Sequence, residues 1–269
     1  MKEGFFPEDS PRFAEVVDKL RGQRVVILGH RRPDGDCIGS QVALTRCLRA
    51  LGIEATGINP DPVPRTLQSF IGDTPFGGPD AIPEGEVVSI YVDCAERQRS
   101  GNEMSERFSS PVLNVDHHVS NEGFAEVDIV LSDASATGEI LAGIFLDNEY
   151  PIDATTAQAL FLGIATDTGQ FRYRGVNQSV FAICERLCGL GASPADMANE
   201  LYEQEKPGRI QLLQRFLASF RFECGGRICI GLLDPKVYEE TGTSPEDSEN
   251  LVDYTRSIEG VDVGALVEE

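Results

Sequence analysis

Apolar residues along this chain fall into short continuous runs that alternate with stretches of helical spacing. RVVILG at 24–29 is β-branched and too short for a helix, as expected of a strand buried on both faces of a parallel sheet. VVSIYV at 87–92 and PVLNV at 111–115 repeat the pattern, and shorter strands are expected over 53–58 and 127–131. Ser10 and Pro11 read as N-cap and first position of a helix running to Leu20 and stopped by Gly22. Val42, Leu44, Leu48 and Leu51 predict a second helix over 41–51, closed by Gly52. Further helices are expected over 136–147, 154–165, 178–190 and 194–202. Strands alternating with helices predict an α/β fold, a mostly parallel sheet with helices on both faces.

The pattern changes after about residue 205. A helix over 207–222 leads into RICIGLL at 227–233, then an acidic, Ser- and Thr-rich stretch over 239–250, a helix to about 258 and a last strand over 261–267. CGGR at 224–227 reads as a hairpin turn. The expected division is a domain over 1–203 and an incomplete, smaller α/β domain over 204–269.

Composition narrows the class. The 269 residues carry 44 Asp plus Glu against 23 Lys plus Arg, a formal charge of -21. Such a surface repels long polyphosphates and lacks the basic stripe of a duplex binder, so a nucleic-acid substrate should be short. No run approaches the roughly 20 apolar residues of a spanning helix, and the N-terminus lacks the order of a signal peptide. Seven Cys without a CxxC pair suit a reducing compartment, so a cytoplasmic location is expected.

The three His are the sharpest feature. His30 follows the first strand within HRRPDGDCIGS, and His117 and His118 follow the third, after Asp116. Asp93 ends the second strand, Asp34 and Asp36 share the loop of His30, and Asp167 lies in ATDTG. Taken singly, PDGD is a good turn, Asp93 a strand-end cap and Asp167 a helix-end cap. Taken together, the strand ends of a parallel sheet share one crevice, and so many carboxylates there require a cation. His and Asp donors suit Mn²⁺ or Mg²⁺, with Zn²⁺ or Fe²⁺ as alternatives. The excess of donors suits two ions about 3.5 to 4 Å apart, which predicts metal-assisted hydrolysis of a phosphoester or phosphoanhydride.

The order HRRPDGDCIGS, VDC, NVDHH and GIATDTGQF resembles the four motifs of the DHH phosphoesterase family. TDTGQFRY is most similar to the branch of oligoribonucleases (nanoRNases) and 3'-phosphoadenosine-5'-phosphate phosphatases. The resemblance covers about 25–202 and makes 1–203 the catalytic domain. It implies that His30, Asp34 and Asp93 hold one Mn²⁺, and that Asp36, Asp93, His117 and Asp167 hold the other, with Asp93 between them. His118 is then left to bind the scissile phosphate or assist the leaving oxygen, with Asp116 orienting it. Mg²⁺ or another divalent ion is the alternative cofactor.

Gly39 and Ser40 are expected to open the helix after the first loop, where its N-terminus favours an anion. Ser135, Thr137 and Gly138 read first as an ordinary N-cap. Arg97, Arg99, Arg172 and Arg174 are candidate phosphate or base contacts. Members of this branch end in a DHH-associated substrate domain with a glycine-rich GGGH-type motif. That motif does not occur here, so residues 204–269 are expected to be a linker helix and the start of such a domain, in a fragment or shortened relative.

The expected activity is hydrolysis of short oligoribonucleotides from the 3' end, of 3'-phosphoadenosine-5'-phosphate, or of both. The alternatives are a phosphodiesterase of cyclic or linear dinucleotides and a catalytically poor nucleotide-binding module. A manganese-dependent pyrophosphatase fits less well, because Lys2, Lys19, Lys206 and Lys236 are the only lysines. Expected partners are short RNA oligomers, nucleotide phosphates or dinucleotides, with no long duplex and no membrane. The family resemblance also allows a homodimer.

Overall fold

The computed structural model describes residues 4–248 and 250–268. The chain divides into two compact units, Met1–Leu201 and Tyr202–Glu269. The first is built on β1 (Arg24–Leu28), β2 (Glu54–Ile58), β3 (Phe76–Gly77), β4 (Val88–Val92), β5 (Leu113–Asp116) and β6 (Val127–Val130). These six strands are all parallel, in the order β3-β2-β1-β4-β5-β6. The chain therefore winds outward in one direction from β1 and in the other from β4. An open parallel sheet has its natural crevice at that reversal, beyond the carboxyl ends of the two central strands.

Among the described residues seven α-helices accompany this sheet: α1 (Asp9–Lys19), α2 (Gly35–Ala50), α3 (Asn102–Arg107), α4 (Thr137–Asp147), α5 (Ala154–Asp167), α6 (Gln178–Gly189) and α7 (Pro194–Tyr202). Alternate strand residues serve different faces. Val25, Ile27, Ile90, Val92, Leu113 and Val115 are buried in one core with α2 and α4, and α5 packs on α2. Val26, Leu28, Ile58 and Tyr91 face the other way, where Met104 of α3 and Phe108 cover them. The two faces are thus covered unequally, the second by one short helix and loops.

Several boundaries move for physical reasons. Ser10 lies inside α1 instead of capping it, and its hydroxyl donates to Asp147 Oδ2 at 2.8 Å. α2 begins at Gly35, not near residue 41, because Asp34 is its N-cap and accepts the N–H groups of Asp36 (3.1 Å) and Cys37 (3.0 Å). Gly39 and Ser40 consequently sit one turn inside the helix and do not open it.

The role of Gly39 is close packing. A Cβ there would meet the Ala159 carbonyl oxygen of α5 at 2.3 Å, and one on Gly35 would meet the Thr166 side chain at 2.5 Å. α2 and α5 run antiparallel through this contact, which brings Asp167 at the end of α5 back to the start of α2.

The second unit holds α8 (Pro207–Ala218), β7 (Arg221–Glu223), β8 (Ile228–Leu233), α9 (Pro235–Thr241), α10 (Val252–Arg256) and β9 (Val263–Glu268). β7 pairs antiparallel and β9 parallel with the central β8, over a core of Leu212, Phe216, Leu233, Tyr238 and Leu251. The 224–226 turn links β7 to β8 as expected. The helix read as reaching 222 stops at Ala218, since Arg221–Glu223 pairs with β8 instead. α9 lies in a stretch whose polarity hid it, capped by Asp234. Among the described residues no helix is long and apolar enough to cross a membrane.

Gly39→Ala should lower stability, since overpacking against a fixed backbone oxygen costs about 1 to 3 kcal/mol, more than the helix propensity Ala gains. Thermal unfolding checks this, and an unchanged or raised melting temperature would contradict the α2–α5 contact.

Candidate metal centre

The carboxyl ends of β1, β4 and β5 deliver His30, Asp93 and Asp116-His117-His118 to one edge of the sheet. Asp34 and Asp36 come from the start of α2 and Asp167 from the last turn of α5. Asp93 has φ of 57°, a left-handed conformation that a non-glycine residue keeps only where its surroundings hold it. Its N–H is tied to the Val115 carbonyl at 3.0 Å.

Asp93 stands at the centre. Its Oδ2 lies 3.3 Å from His30 Nε2, while Oδ1 lies 3.6 Å from His117 Nε2 and 3.7 Å from His118 Nδ1. On one side His30 Nε2 also lies 3.6 Å from Asp34 Oδ2. On the other, His117 Nε2 lies 3.1 Å from Asp167 Oδ2 and 4.0 Å from Asp36 Oδ2. The donor atoms of Asp93, His117 and His118 all lie within 4.8 Å of one another, as do those of Asp36, His117 and Asp167, and those of His30, Cys37 and Asp93.

Asp36 is fully buried, and α4 holds it. Its Oδ2 accepts the Thr137 N–H at 2.7 Å, and its Oδ1 accepts the Gly138 N–H at 2.8 Å and the Ser40 hydroxyl at 3.3 Å. A helix N-terminus offers free N–H donors and a positive dipole end, so it accommodates a buried carboxylate. Glycine makes the space: a Cβ on Gly163 would lie 2.4 Å from Asp36 Oδ1, and one on Gly138 would lie 3.1 Å from it. Thr137 reaches Asp93 as well, its hydroxyl 3.2 Å from Oδ1.

Hydrogen bonds set the imidazole tautomers. His30 Nδ1 donates to the Arg31 carbonyl at 2.8 Å, leaving Nε2 toward Asp34 and Asp93. His118 Nδ1 donates to Asp116 Oδ1 at 2.7 Å, and Asn121 donates to Asp116 Oδ2 at 2.7 Å. His117 Nε2 is buried among carboxylates yet makes no hydrogen bond.

The electrostatics point the same way. Burial, then the charges of Asp93 and Asp167, pushes the Asp36 carboxyl well above its ordinary range. Burial likewise raises Asp167, with Asp34 and Asp93 adding to it. Burial disfavours the His117 cation, but the adjacent Asp167, Asp36 and Asp93 outweigh it and push His117 up to about 10. His30 is also raised against its burial, by Cys37, Asp34 and Asp93. The Asp116 hydrogen bond raises His118. Protons thus stand in where positive charge is needed. The orphaned His117 nitrogen, the glycine cradle and the mixed carboxylate and imidazole donors all fit divalent cations.

The DHH family, N-terminal domain, matches residues 24–164. The chain belongs to the DHH family. It is 31% identical over 248 residues to the bifunctional oligoribonuclease and PAP phosphatase NrnA of Thermus thermophilus, covering 92% of this chain and 72% of that one. It is 24% identical over 263 residues to a probable enzyme of the same name from Streptococcus mutans, covering 94% and 80%. Its fold is similar to that of an exopolyphosphatase-related protein from Bacteroides fragilis, with a TM-score of 0.88 at 24% identity, over 97% of this chain and 79% of that one.

All eight residues singled out in the sequence, His30, Asp34, Asp36, Asp93, Asp116, His117, His118 and Asp167, converge in this DHH centre. Other expectations change. Ser135, Thr137 and Gly138 do not form a side-chain cap. The helix is capped in reverse, with the N–H and hydroxyl of Ser135 donating to Glu139, and the Thr137 and Gly138 N–H groups go to Asp36. Arg97 donates to the Ser109 carbonyl and Arg172 to that of Gly169, so both brace loops. Cys37 Sγ lies beside His30 and accepts its N–H at 3.3 Å.

Asn59 and Asn121 escaped sequence reading. Asn59 donates to the His30 carbonyl at 3.2 Å from just beyond β2, and Asn121 ties Asp116 to the Cys94 carbonyl. Both lie a few residues past a strand end, the one signal that marks them.

With His117 pushed up to about 10 by its carboxylate neighbours, a divalent cation taking its Nε2 would displace a proton. Divalent-metal affinity should rise with pH, and calorimetry at pH 7 in buffers of different ionisation enthalpy should show release of about one proton or more per chain. Binding without proton release would remove His117 from the ligands.

Proposed function

We propose that this chain is a metal-dependent phosphoesterase that hydrolyses short oligoribonucleotides and 3'-phosphoadenosine-5'-phosphate. The observation that carries the reading is Asp93, whose two oxygens face His30 on one side and His117 and His118 on the other. In this assignment His30, Asp34 and Asp93 hold one ion, and Asp36, Asp93, His117 and Asp167 hold a second. Mn²⁺ is preferred over Mg²⁺ here, since Mg²⁺ keeps to oxygen ligands whereas this donor set includes the imidazoles of His30 and His117. Divalent ions held there supply Lewis-acid stabilisation of a phosphoryl oxygen and make water a better nucleophile near neutral pH.

The chain's own residues do the rest. Asp116, fixed by Asn121, holds the His118 ring in one orientation and favours its protonated form. A protonated His118 donates a hydrogen bond to a scissile phosphate oxygen or a proton to the leaving oxygen. At 31% exposed, against 3% for His30, its side chain is the imidazole best able to meet a substrate.

The named relatives support the substrate class, and the charge of -21 supports short substrates over long ones. We take 1–203 as the catalytic domain and 204–269 as part of a substrate domain. A cytoplasmic site of action goes with seven cysteines that are all free.

Hydrolysis of pApA, a trinucleotide labelled at either end, and 3'-phosphoadenosine-5'-phosphate, with Mn²⁺ or Mg²⁺, tests the reading. The wild-type protein should turn over all three, fastest with Mn²⁺, and the labels report from which end the trinucleotide is shortened. Asp93→Ala should lose metal and turnover together. His118→Ala should keep its metal and lose about 10²- to 10⁴-fold in kcat. Full activity of His118→Ala would remove its role, and bound metal without turnover of any substrate would make the chain a binding module.

A further inference from the structure

Three buried side chains outside the assigned ligand set, Cys37, Gln41 and Asn59, surround the backbone of His30. Cys37 and Gln41 stand one turn apart on α2, and Asn59 follows the last residue of β2. The His30 N–H donates to Cys37 Sγ at 3.3 Å, and the His30 carbonyl accepts from Asn59 Nδ2 at 3.2 Å. Asn59 Nδ2 also donates to Gln41 Oε1 at 3.1 Å, while Gln41 Nε2 donates to the Ile27 and Ile58 carbonyls, both at 2.9 Å. All four amide hydrogens are thus committed, and they run as one chain from the ends of β1 and β2 to His30. The Asp61 N–H donates to Asn59 Oδ1 at 3.1 Å, which fixes the way the Asn59 amide points.

Packing alone does not call for these groups. Gln41 lies in a stretch of α2 whose buried residues include Ile38, Val42 and Leu44, where an apolar side chain of similar size would fill the space without desolvating an amide. A buried polar network with its partners satisfied instead fixes one arrangement. Gly29, between β1 and His30, makes room for it: a Cβ there would lie 2.3 Å from Cys37 Sγ and 2.7 Å from Gln41 Oε1. With its Nδ1 on the Arg31 carbonyl, His30 is then fixed in backbone and ring alike, Nε2 toward Asp34 and Asp93. The other ligand group is anchored elsewhere, Asp36 by the α4 N–H groups and Asp167 by the last turn of α5.

We infer that Cys37, Gln41 and Asn59 are positioning residues for His30, and that they set the affinity of the His30-side cation separately from that of its neighbour. The inference rests on the two-cation reading and adds to it that the two ligand groups are supported independently. Groups that orient a ligating imidazole account for about 10- to 100-fold in metal affinity. In this centre the orienting contacts act on the main chain of His30 as well as on its ring, so a change at Asn59 or Gln41 reaches the ion without removing any of its ligands.

Mn²⁺ titration of the metal-free protein, followed through the electron paramagnetic resonance of free Mn²⁺, tests this. Wild type should bind two ions. Asn59→Leu, which keeps the branched shape and removes the donors, should weaken one ion by about 10- to 100-fold and leave the other within about twofold. Gln41→Met should act in the same direction on the same ion, and it serves if the Asn59 variant does not fold. The affected ion should be the one that His30→Ala loses, so that Asn59→Leu adds nothing further in a His30→Ala background. Val17→Ala, which opens a cavity beneath α1, should lower the melting temperature and leave both affinities alone. Two ions weakened alike, or neither weakened, would overturn the positioning role. A single ion in wild type, weakened by Asn59→Leu and lost in His30→Ala, would overturn the two-cation reading and support the positioning role.

Discussion

The structure depends on one electrostatic problem, which is how to keep Asp34, Asp36, Asp93 and Asp167 within a few ångströms of one another. Two unit charges 4 Å apart repel by about 4 kcal/mol in a protein-like dielectric, so unrelieved anions here would break the sheet edge apart. Relief comes from three directions. Imidazoles interleave the carboxylates, the α4 N-terminus takes the fully buried Asp36, and the geometry of the unbonded His117 nitrogen suits metal cations. The glycines at 39, 138 and 163 belong to this solution as much as the charged residues do, because α5 and α4 can reach Asp36 only where no side chain intervenes.

Net charge and local charge act on different scales. At physiological ionic strength exposed charges are screened within about 8 Å. The charge of -21 therefore governs whether a long polyanion can lie along the surface, whereas a bound phosphate feels the groups beside it. A centre of carboxylate and imidazole donors that suits divalent cations offers a phosphate a local attraction that the net charge does not set. Acidity overall and phosphate chemistry at one edge are compatible for that reason.

Much of this was legible in the sequence because two signals coincide. Each β-branched run such as RVVIL or VSIYV marks a buried strand, and the residue that follows it in a parallel sheet must lie in the crevice. His30, Asp93 and Asp116-His117-His118 were found that way. The start of α2 was not, because Gly35 and Asp36 owe their burial to Thr166 and Gly163 of α5 and not to any local apolar period. The grip of Thr137 and Gly138 on Asp36 spans about 100 residues of sequence, so local pattern offered only an ordinary cap. Asn59 and Asn121 carry their meaning in hydrogen bonds that no local pattern announces, to His30 from 29 residues away and to Asp116 and Cys94 from 5 and 27 residues away. The α9 helix lay hidden for a different reason, since short polar helices depend on a cap and a neighbouring core more than on periodicity.

Two cations sharing Asp93 would hold these carboxylates together. The most direct measurement is a crystal structure of the Mn²⁺-loaded protein with anomalous scattering recorded at the manganese edge. Two anomalous peaks about 3.5 to 4 Å apart are expected, with Asp93 in contact with both and His117 bound through Nε2. A single peak, or two peaks with Asp93 reaching only one of them, would contradict it.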